Sequence, residues 1–240
     1  MADSEIILLA SAIVIIIFGI MIITESVISK HMRKNNGDAV GKTFWSRYAG
    51  IYDRFMKKDA AAYSQMYEMI CRQVKGKNVL ELATGTGLIA ENIVKYAKSV
   101  EATDASAEMI SEAKKSNTSS KIHFSVQDIF DLPYADKSFP VIIASNVLHI
   151  IPDPEKAISE MKRVLDDNGV LILPTFTHAD MGAFAHMKAG MMKKAGFPLT
   201  HIWSPSTYIE FLKQNGLKVE YSTVIKASFP LTYTECHKKE

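Results

Sequence analysis

The most hydrophobic part of the chain is a run of 18 residues near the N-terminus, Ile6–Ile23, which contains no charged side chain. As an α-helix this run would extend roughly 27 Å, close to the ~30 Å hydrocarbon core of a bilayer. The residues before it include Asp3 and Glu5 and no lysine or arginine, unlike the start of a signal peptide. We therefore predict a single transmembrane helix rather than a cleaved signal peptide or a buried core helix.

Basic residues cluster directly after this run, at Lys30, Arg33 and Lys34. Because positive flanks stay on the cytoplasmic side of a membrane, we expect everything that follows to be cytoplasmic. The sequence is divided accordingly into a membrane anchor with its basic flank at residues 1–34, a linker at 35–43 and a domain at 44–240.

From Trp45 onward, short apolar runs alternate with segments of helical periodicity. This alternation is typical of an α/β domain with helices on both faces of a mostly parallel sheet. Because the last two strands are joined by few residues, they are expected to form an antiparallel hairpin. The prediction is a doubly wound, seven-stranded sheet with strands at Asn78–Leu82, Ser99–Thr103, Lys121–Val126, Val141–Ser145, Val170–Thr175, Leu217–Lys226 and Phe229–Cys236.

The composition excludes several classes of protein. With 240 residues and 48% hydrophobic content, the chain can bury a sizeable core, which excludes a disordered protein. The formal net charge of +2 gives no support to nucleic-acid binding. Two distant cysteines, Cys71 and Cys236, are too few for a disulfide framework or a structural zinc site, and we interpret them as reduced and intracellular.

A glycine-rich turn follows the first predicted strand, with the sequence Ala83-Thr84-Gly85-Thr86-Gly87 before a helix. Glycines allow the backbone to approach a ligand, and a helix N-terminus offers free N–H groups. The turn also fits the dinucleotide pattern G-x-G-x-x-A, so a nicotinamide cofactor remains open on this evidence.

Three acidic residues indicate what this turn binds. Asp104 ends the second strand and Asp128 the third, which places both at the carboxyl edge where open α/β sheets bind ligands. Asp104 is suited to accept hydrogen bonds from a ribose diol, and Asp128 from an adenine amino group. Glu81, just before the turn, is suited to a cationic amino group.

Four segments together resemble class I S-adenosylmethionine-dependent methyltransferases: VLELATGTG at Val79–Gly87, ATDAS with EMI within Ala102–Ile110, VQDIFDLPYADKSF at Val126–Phe139 and ASNVLHII at Ala144–Ile151. The subgroup they most resemble is that of the ubiquinone and menaquinone biosynthesis enzymes, methyltransferase type 11. The resemblance extends from Phe44 to the C-terminus. It implies a Rossmann-like fold and S-adenosyl-L-methionine as cofactor.

The resemblance also implies a set of cofactor-binding residues, from the methionine end to the adenine end. Two positions depart from the family pattern: Ala83 replaces the first glycine of a triad, and Pro140 replaces an aspartate at the start of strand four. The implied set is Tyr52, Glu81, Ala83, Thr84, Gly85, Thr86, Gly87, Asp104, Ala105, Met109, Asp128, Ile129 and Asn146.

His149 is the candidate catalytic residue, three positions after Asn146. Methyl transfer needs a base only when the nucleophile starts protonated, so a packing role for His149 is the alternative. Three further histidines, His178, His186 and His201, lack metal-binding spacing, and we expect no metal. Their segment is rich in methionine and phenylalanine, which suits a lipophilic acceptor or a packed lid.

The leading hypothesis is a membrane-anchored methyltransferase acting on a lipophilic small molecule, such as a quinone precursor, lipid, phenol or thiol. No Pro-Pro-aromatic signature follows strand four, which disfavours a nucleic-acid substrate. The alternatives are a nicotinamide-dependent oxidoreductase and a non-catalytic module that senses the cofactor. The acceptor atom (O, N, C or S) and the oligomeric state remain open.

Overall fold

The computed structural model describes residues 45, 49, 57–178 and 199–239. The predicted anchor Ile6–Ile23, the linker, Tyr52 and His186 lie outside the described residues. Within those ranges, no helix combines the length and apolar character needed to cross a bilayer. The anchor therefore stays a prediction.

Among the described residues, five α-helices follow a 3₁₀ turn at Lys57–Asp59. Local side chains begin three of them, because a side-chain oxygen accepts from a backbone N–H of the first turn: Ser106 from Met109, Asp153 from Lys156, and Ser204 from Thr207. A serine or aspartate directly before each helix is the local sequence signal for such a cap. The helices are α1 Ala60–Val74, α2 Leu88–Ile93, α3 Ala107–Ser116, α4 Pro154–Val164 and α5 Pro205–Gln214.

One sheet of eight strands passes through the domain. The strands are β1 Asn78–Leu82, β2 Ser99–Asp104, β3 Ile122–Val126, β4 Phe139–Ala144, β5 Leu165–Ile172, β6 Thr175–Phe176, β7 Leu217–Ile225 and β8 Leu231–Lys238. Their order is β3-β2-β1-β4-β5-β8-β6, with β7 paired to β8. The first five are parallel, and β8 is antiparallel to β5, β6 and β7.

The prediction of seven strands was wrong by one, and the reason is Pro174. A proline has no N–H to donate to a ladder, so the predicted strand Val170–Thr175 is interrupted there. Its last part becomes β6, where Thr175 and Phe176 pair with β8. Strand β4 begins at Phe139 rather than Val141, and the register with β5 shifts across Pro140.

Alternate side chains of the central strands pack on opposite faces of the sheet. Val79 contributes to a core with α1, α2 and α3, whereas its neighbour Leu80 contributes to a core with α4 and α5. Each such fully buried aliphatic side chain contributes about 1.5–3 kcal/mol to folding. The strand order reverses at β1, because β2 and β3 follow on one side of it and β4 and β5 on the other. Such a reversal creates the crevice where open α/β sheets bind ligands.

Candidate active site

The turn after β1 is fixed against the end of β2. The Asp104 carboxylate accepts hydrogen bonds from the backbone N–H of Gly85 and of Ser106, both at 2.9 Å. The Thr84 N–H donates to the Thr103 carbonyl, also at 2.9 Å. Burial raises the pKa of Asp104, and these backbone donors oppose the rise. A carboxylate has about four acceptor positions, so the backbone donors do not occupy all of them, and room remains for a ribose hydroxyl.

Three residues of this turn have left-handed backbone, with φ of 52° at Ala83, 58° at Gly85 and 83° at Gly87. A Cβ on Gly87 would lie 3.1 Å from the Phe124 ring, so glycine is needed there for packing as well. Ala83 replaces the first family glycine but keeps the left-handed backbone, at a cost of about 1–2 kcal/mol.

Glu81 is the most strongly perturbed acid of the crevice. Its side chain is 1% exposed, and burial raises its pKa to about 8. Among the described residues, its Oε2 atom and the buried Ser145 Oγ have no hydrogen-bond partner. Both residues line one cavity together with Tyr63, Tyr67, Ala83, Thr84, Gly85, Leu88, Ile89 and Asn146. Buried oxygen atoms without a hydrogen-bond partner fit a ligand that carries an amino group, because its N–H groups can donate to them.

Asn146 forms the far wall of this cavity and connects three elements. Its side-chain Nδ2 donates to the Tyr63 hydroxyl at 3.0 Å, and its Oδ1 accepts from the Phe176 N–H at 3.1 Å. Its backbone N–H donates to the Pro174 carbonyl at 2.8 Å. With φ of 54°, Asn146 is held in a left-handed conformation between α1, β4 and β6.

Sequence reasoning missed two tyrosines of α1, Tyr63 and Tyr67, which line the cavity. Their i, i+4 spacing is the sequence signal that could have found them, because on a helix it places both rings on one face. The pattern indicated only that this face is buried.

The residues predicted for the adenine end lie beyond the carboxyl ends of β2 and β3. Met109 is 2% exposed in the first turn of α3, and Ala105 is exposed. Asp128 lies two residues past β3 and is exposed, and its Oδ1 accepts from the Phe130 N–H at 3.0 Å. Ile129 packs partly against the core beside α4. Asp128 is therefore bonded within its own turn.

His149 is buried five residues beyond the end of β4. It is 4% exposed, and its Nδ1 forms a hydrogen bond of 2.9 Å with the Thr175 hydroxyl. Burial first, and then the nearby His178 and His201, lower the pKa of His149 to about 3. The imidazole is thus neutral near pH 7.

No group of three or more His, Cys, Asp or Glu side chains in residues 57–178 and 199–239 is arranged to hold a metal ion. Cys71 is half-buried and Cys236 is buried, and both are free thiols.

Comparisons with known proteins identify the domain. Residues 80–173, which span the turn, Asp104 and Asn146, match the family described as Methyltransferase domain. This part of the chain is therefore similar to a methyltransferase domain. Among curated relatives, a demethylmenaquinone methyltransferase of Renibacterium salmoninarum is 35% identical over 111 residues, covering 46% of each chain. The ubiquinone/menaquinone biosynthesis C-methyltransferase of Rickettsia bellii is 27% identical over 161 residues, covering 62% of this chain and 65% of the relative.

The same fold occurs in solved structures of methyltransferases. The magnesium protoporphyrin IX methyltransferase of Synechocystis, solved with bound S-adenosylhomocysteine, has a TM-score of 0.60 at 18% identity, with 78% of this chain and 87% of that chain covered. The predicted Rossmann-like α/β fold is confirmed. The chain spans about half the length of the demethylmenaquinone methyltransferases that it matches. The family match favours the methyltransferase domain over the nicotinamide interpretation of the turn.

Proposed function

We propose that this protein transfers the methyl group of S-adenosylmethionine to a lipophilic small molecule, such as a quinone precursor, lipid, phenol or thiol, at the cytoplasmic side of a membrane. The observation that carries the proposal is the crevice beside β1, where Glu81 has an orphaned buried oxygen and Asp104 fixes the turn. The quinone-related names of the curated relatives support a lipophilic acceptor.

Each part of the crevice has a role in binding the cofactor. Glu81 pairs with the amino group of the methionine moiety, and Asp104 accepts from the ribose hydroxyls. Asn146, fixed by Tyr63 and Phe176, lines the same cavity as Glu81 and would contact the cofactor there. The cofactor supplies a methyl group activated by a sulfonium, so holding the acceptor in line with that carbon accounts for much of the rate.

Membrane attachment through residues 6–23 is the second part of the proposal. A tether raises the local concentration of the enzyme where lipophilic acceptors partition. Deleting residues 1–24 is expected to release the protein to the soluble fraction and to leave cofactor affinity nearly unchanged. A truncated chain that stays with the membrane fraction, or that no longer folds, would contradict the anchor.

The test of activity uses the full chain, labelled S-adenosylmethionine and a membrane extract. We expect label in an organic-soluble product, and we expect Asp104→Ala to lower it strongly at limiting cofactor. Label found only in protein or RNA would contradict a small-molecule acceptor. Cofactor binding without turnover on any extract would favour the cofactor-sensing module.

A further inference from the structure

Three histidines from distant parts of the sequence meet beyond the carboxyl ends of β4 and β6. The His149 carbonyl accepts hydrogen bonds from the backbone N–H of Thr200 at 3.0 Å and of His201 at 3.1 Å. The Thr200 hydroxyl donates to the same carbonyl at 3.0 Å. The His178 N–H donates to the Trp203 carbonyl at 2.8 Å. The segment before α5 is thereby fixed beside the residues that follow β4 and β6.

Aromatic rings frame this histidine cluster, defined as His149, His178 and His201. The Phe176 ring lies edge-on to His149 with centroids 6.2 Å apart, and Phe229 lies edge-on to His178 at 6.3 Å. Trp203 stacks on His201 with an interplanar angle of 8° and centroids 5.2 Å apart. Aromatic neighbours of this kind also suit contact with the aromatic ring of a ligand.

The cluster contains a buried nitrogen atom that forms no hydrogen bond with the described residues. The Nε2 atom of His201 is buried and has no hydrogen-bond partner among them. A hydroxyl both donates and accepts, so it satisfies this nitrogen in either tautomer.

The charge around the cluster disfavours a cationic ligand. The groups that shift the pKa of His149 besides burial are His178 and His201, and no carboxylate in the described part of the chain contributes. The two acids of the crevice, Glu81 and Asp104, belong to the cofactor side. An ammonium group would therefore be desolvated without an anionic partner, which is costly.

We propose that the histidine cluster is the acceptor end of the active site and that it binds a phenol through His201. This inference rests on the proposed function, since it names the acceptor class of the same reaction. Asn146 connects the crevice beside β1 to the histidine cluster. Its Oδ1 accepts a hydrogen bond from the Phe176 N–H, and the adjacent Thr175 hydroxyl is hydrogen-bonded to His149.

The reaction is balanced without any further reactant. A lone pair of the phenol oxygen forms a bond to the methyl carbon, and the carbon–sulfur bond breaks with its electron pair remaining on sulfur. The products are an aryl methyl ether and S-adenosylhomocysteine. The proton of the phenol O–H passes to an imidazole nitrogen of the cluster, which returns it to water after product release.

The test measures binding of two matched probes, 4-nitrophenol and 4-nitroaniline, to the full chain saturated with S-adenosylhomocysteine. The probes have nearly the same size, and at about pH 5.5, where 4-nitrophenol is un-ionised, they differ in the hydroxyl and not in charge. We expect calorimetry to show about tenfold tighter binding of 4-nitrophenol, the effect of one good hydrogen bond. The preference is expected to disappear in His201→Gln and to persist in His123→Gln, which changes an exposed histidine of β3.

A second variant separates recognition from packing. In His201→Ala, added imidazole is expected to restore the preference for 4-nitrophenol, whereas a packing defect would not respond in this selective way. Equal affinities of the two probes in the wild type, or an unchanged preference in His201→Gln, would overturn the proposal. Binding of S-adenosylhomocysteine is measured first in every variant. Its absence in the wild type would defeat the proposed function, whereas its presence without probe preference defeats only the phenol assignment.

Discussion

The crevice beside β1 and the histidine cluster are built in different ways. The crevice comes mostly from one contiguous turn and the end of β2, joined by the bond from the Gly85 N–H to Asp104. The cluster is assembled from segments about 50 residues apart, joined by the His149 carbonyl and Thr200. Local sequence therefore predicts the first region well and the second poorly.

Burial also acts in opposite directions on the two regions. It raises the pKa of Glu81 to about 8 and lowers the pKa of His149 to about 3, so each group favours its neutral form. The cofactor amino group would charge Glu81 on binding. Nothing comparable faces His149 among the described residues, and its cluster is therefore suited to neutral, hydrogen-bonding ligands.

Replacing His149 gives the largest expected effect and separates the two regions most clearly. His149→Ala is expected to lower kcat by roughly 10²-fold with cofactor affinity preserved, the lower end of the range for loss of a general base, because a pKa lowered to about 3 makes this imidazole a weak base. The loss should shrink as pH rises, because the acceptor then ionises in solution. His123→Ala, at an exposed histidine, serves as the control.

Two other outcomes would change the role of His149. A nearly unchanged rate would assign it to packing. Equal losses in kcat and cofactor affinity would make it part of the cofactor wall.

Stability is expected to depend on pH with opposite signs in the two regions. For Glu81, whose folded pKa is raised from 4.5 to about 8, stability is lost as pH rises across that interval. For His149, whose folded pKa is lowered from 6.5 to about 3, stability is lost as pH falls across its interval. Within its interval, each group changes the free energy of unfolding by about 1.4 kcal/mol for each pH unit.

The measurement is urea unfolding of Glu81→Gln and His149→Gln against the wild type at about pH 5 and pH 8. Between pH 5 and pH 8, the free energy of unfolding of Glu81→Gln should rise by about 2–4 kcal/mol relative to that of the wild type. His149→Gln should be more stable relative to the wild type at pH 5 than at pH 8. Parallel pH profiles of all three proteins would contradict this account.

A substitution in the turn tests how far packing fixes the crevice. In Gly87→Ala the new Cβ meets Phe124 at 3.1 Å and Ala113 at 3.2 Å and adopts a left-handed φ. We expect a destabilisation of about 2–4 kcal/mol. Gly76→Ala is the matched control, because its φ is also positive but no atom lies within 4 Å. If both variants lose the same stability in urea unfolding, the Phe124 contact contributes nothing.

Asp104→Ala is expected to weaken cofactor binding by about one to two powers of ten, or about 1.5–3 kcal/mol, through loss of charge-assisted hydrogen bonds. Asp128→Ala should have a smaller effect, because Asp128 is exposed and bonded within its own turn. Calorimetry with S-adenosylhomocysteine compares the two. Unchanged affinity in the Asp104 variant would place the cofactor elsewhere.

The smallest expected effect concerns the position where this chain departs from the family. Ala83→Gly should stabilise the protein by up to about 1 kcal/mol, because glycine removes the steric cost of a φ of 52° but gains entropy in the unfolded chain. Thermal unfolding measures the change. A destabilised variant would mean that the Ala83 methyl group contributes packing that outweighs the strain.

The sequence predicted those features that depend on near neighbours. The turn after β1, Asp104 at the end of β2 and the caps at Ser106 and Asp153 all follow from local patterns, and the structure contains each of them. The break at Pro174 was also a local signal, but the apolar run around it concealed the separate strand β6.

Contacts between distant segments could not be predicted in this way. The bond from Asn146 to Tyr63 joins residues 83 positions apart, and the spacing of Tyr63 and Tyr67 indicated burial but not a cavity wall. His149 and His201 come together because loop carbonyls and N–H groups pair, which side-chain patterns do not encode. The exposure of Asp128 depends on the turn it forms with Phe130.

Hydrogen exchange of the full chain with and without S-adenosylhomocysteine tests the central claim most directly, namely that the cofactor occupies the crevice beside β1 and not the histidine cluster. We predict slower exchange in peptides covering residues 81–88 and 103–109, and unchanged exchange in peptides covering 199–214. Protection confined to residues 199–214, or no protection in either region at saturating ligand, would contradict it.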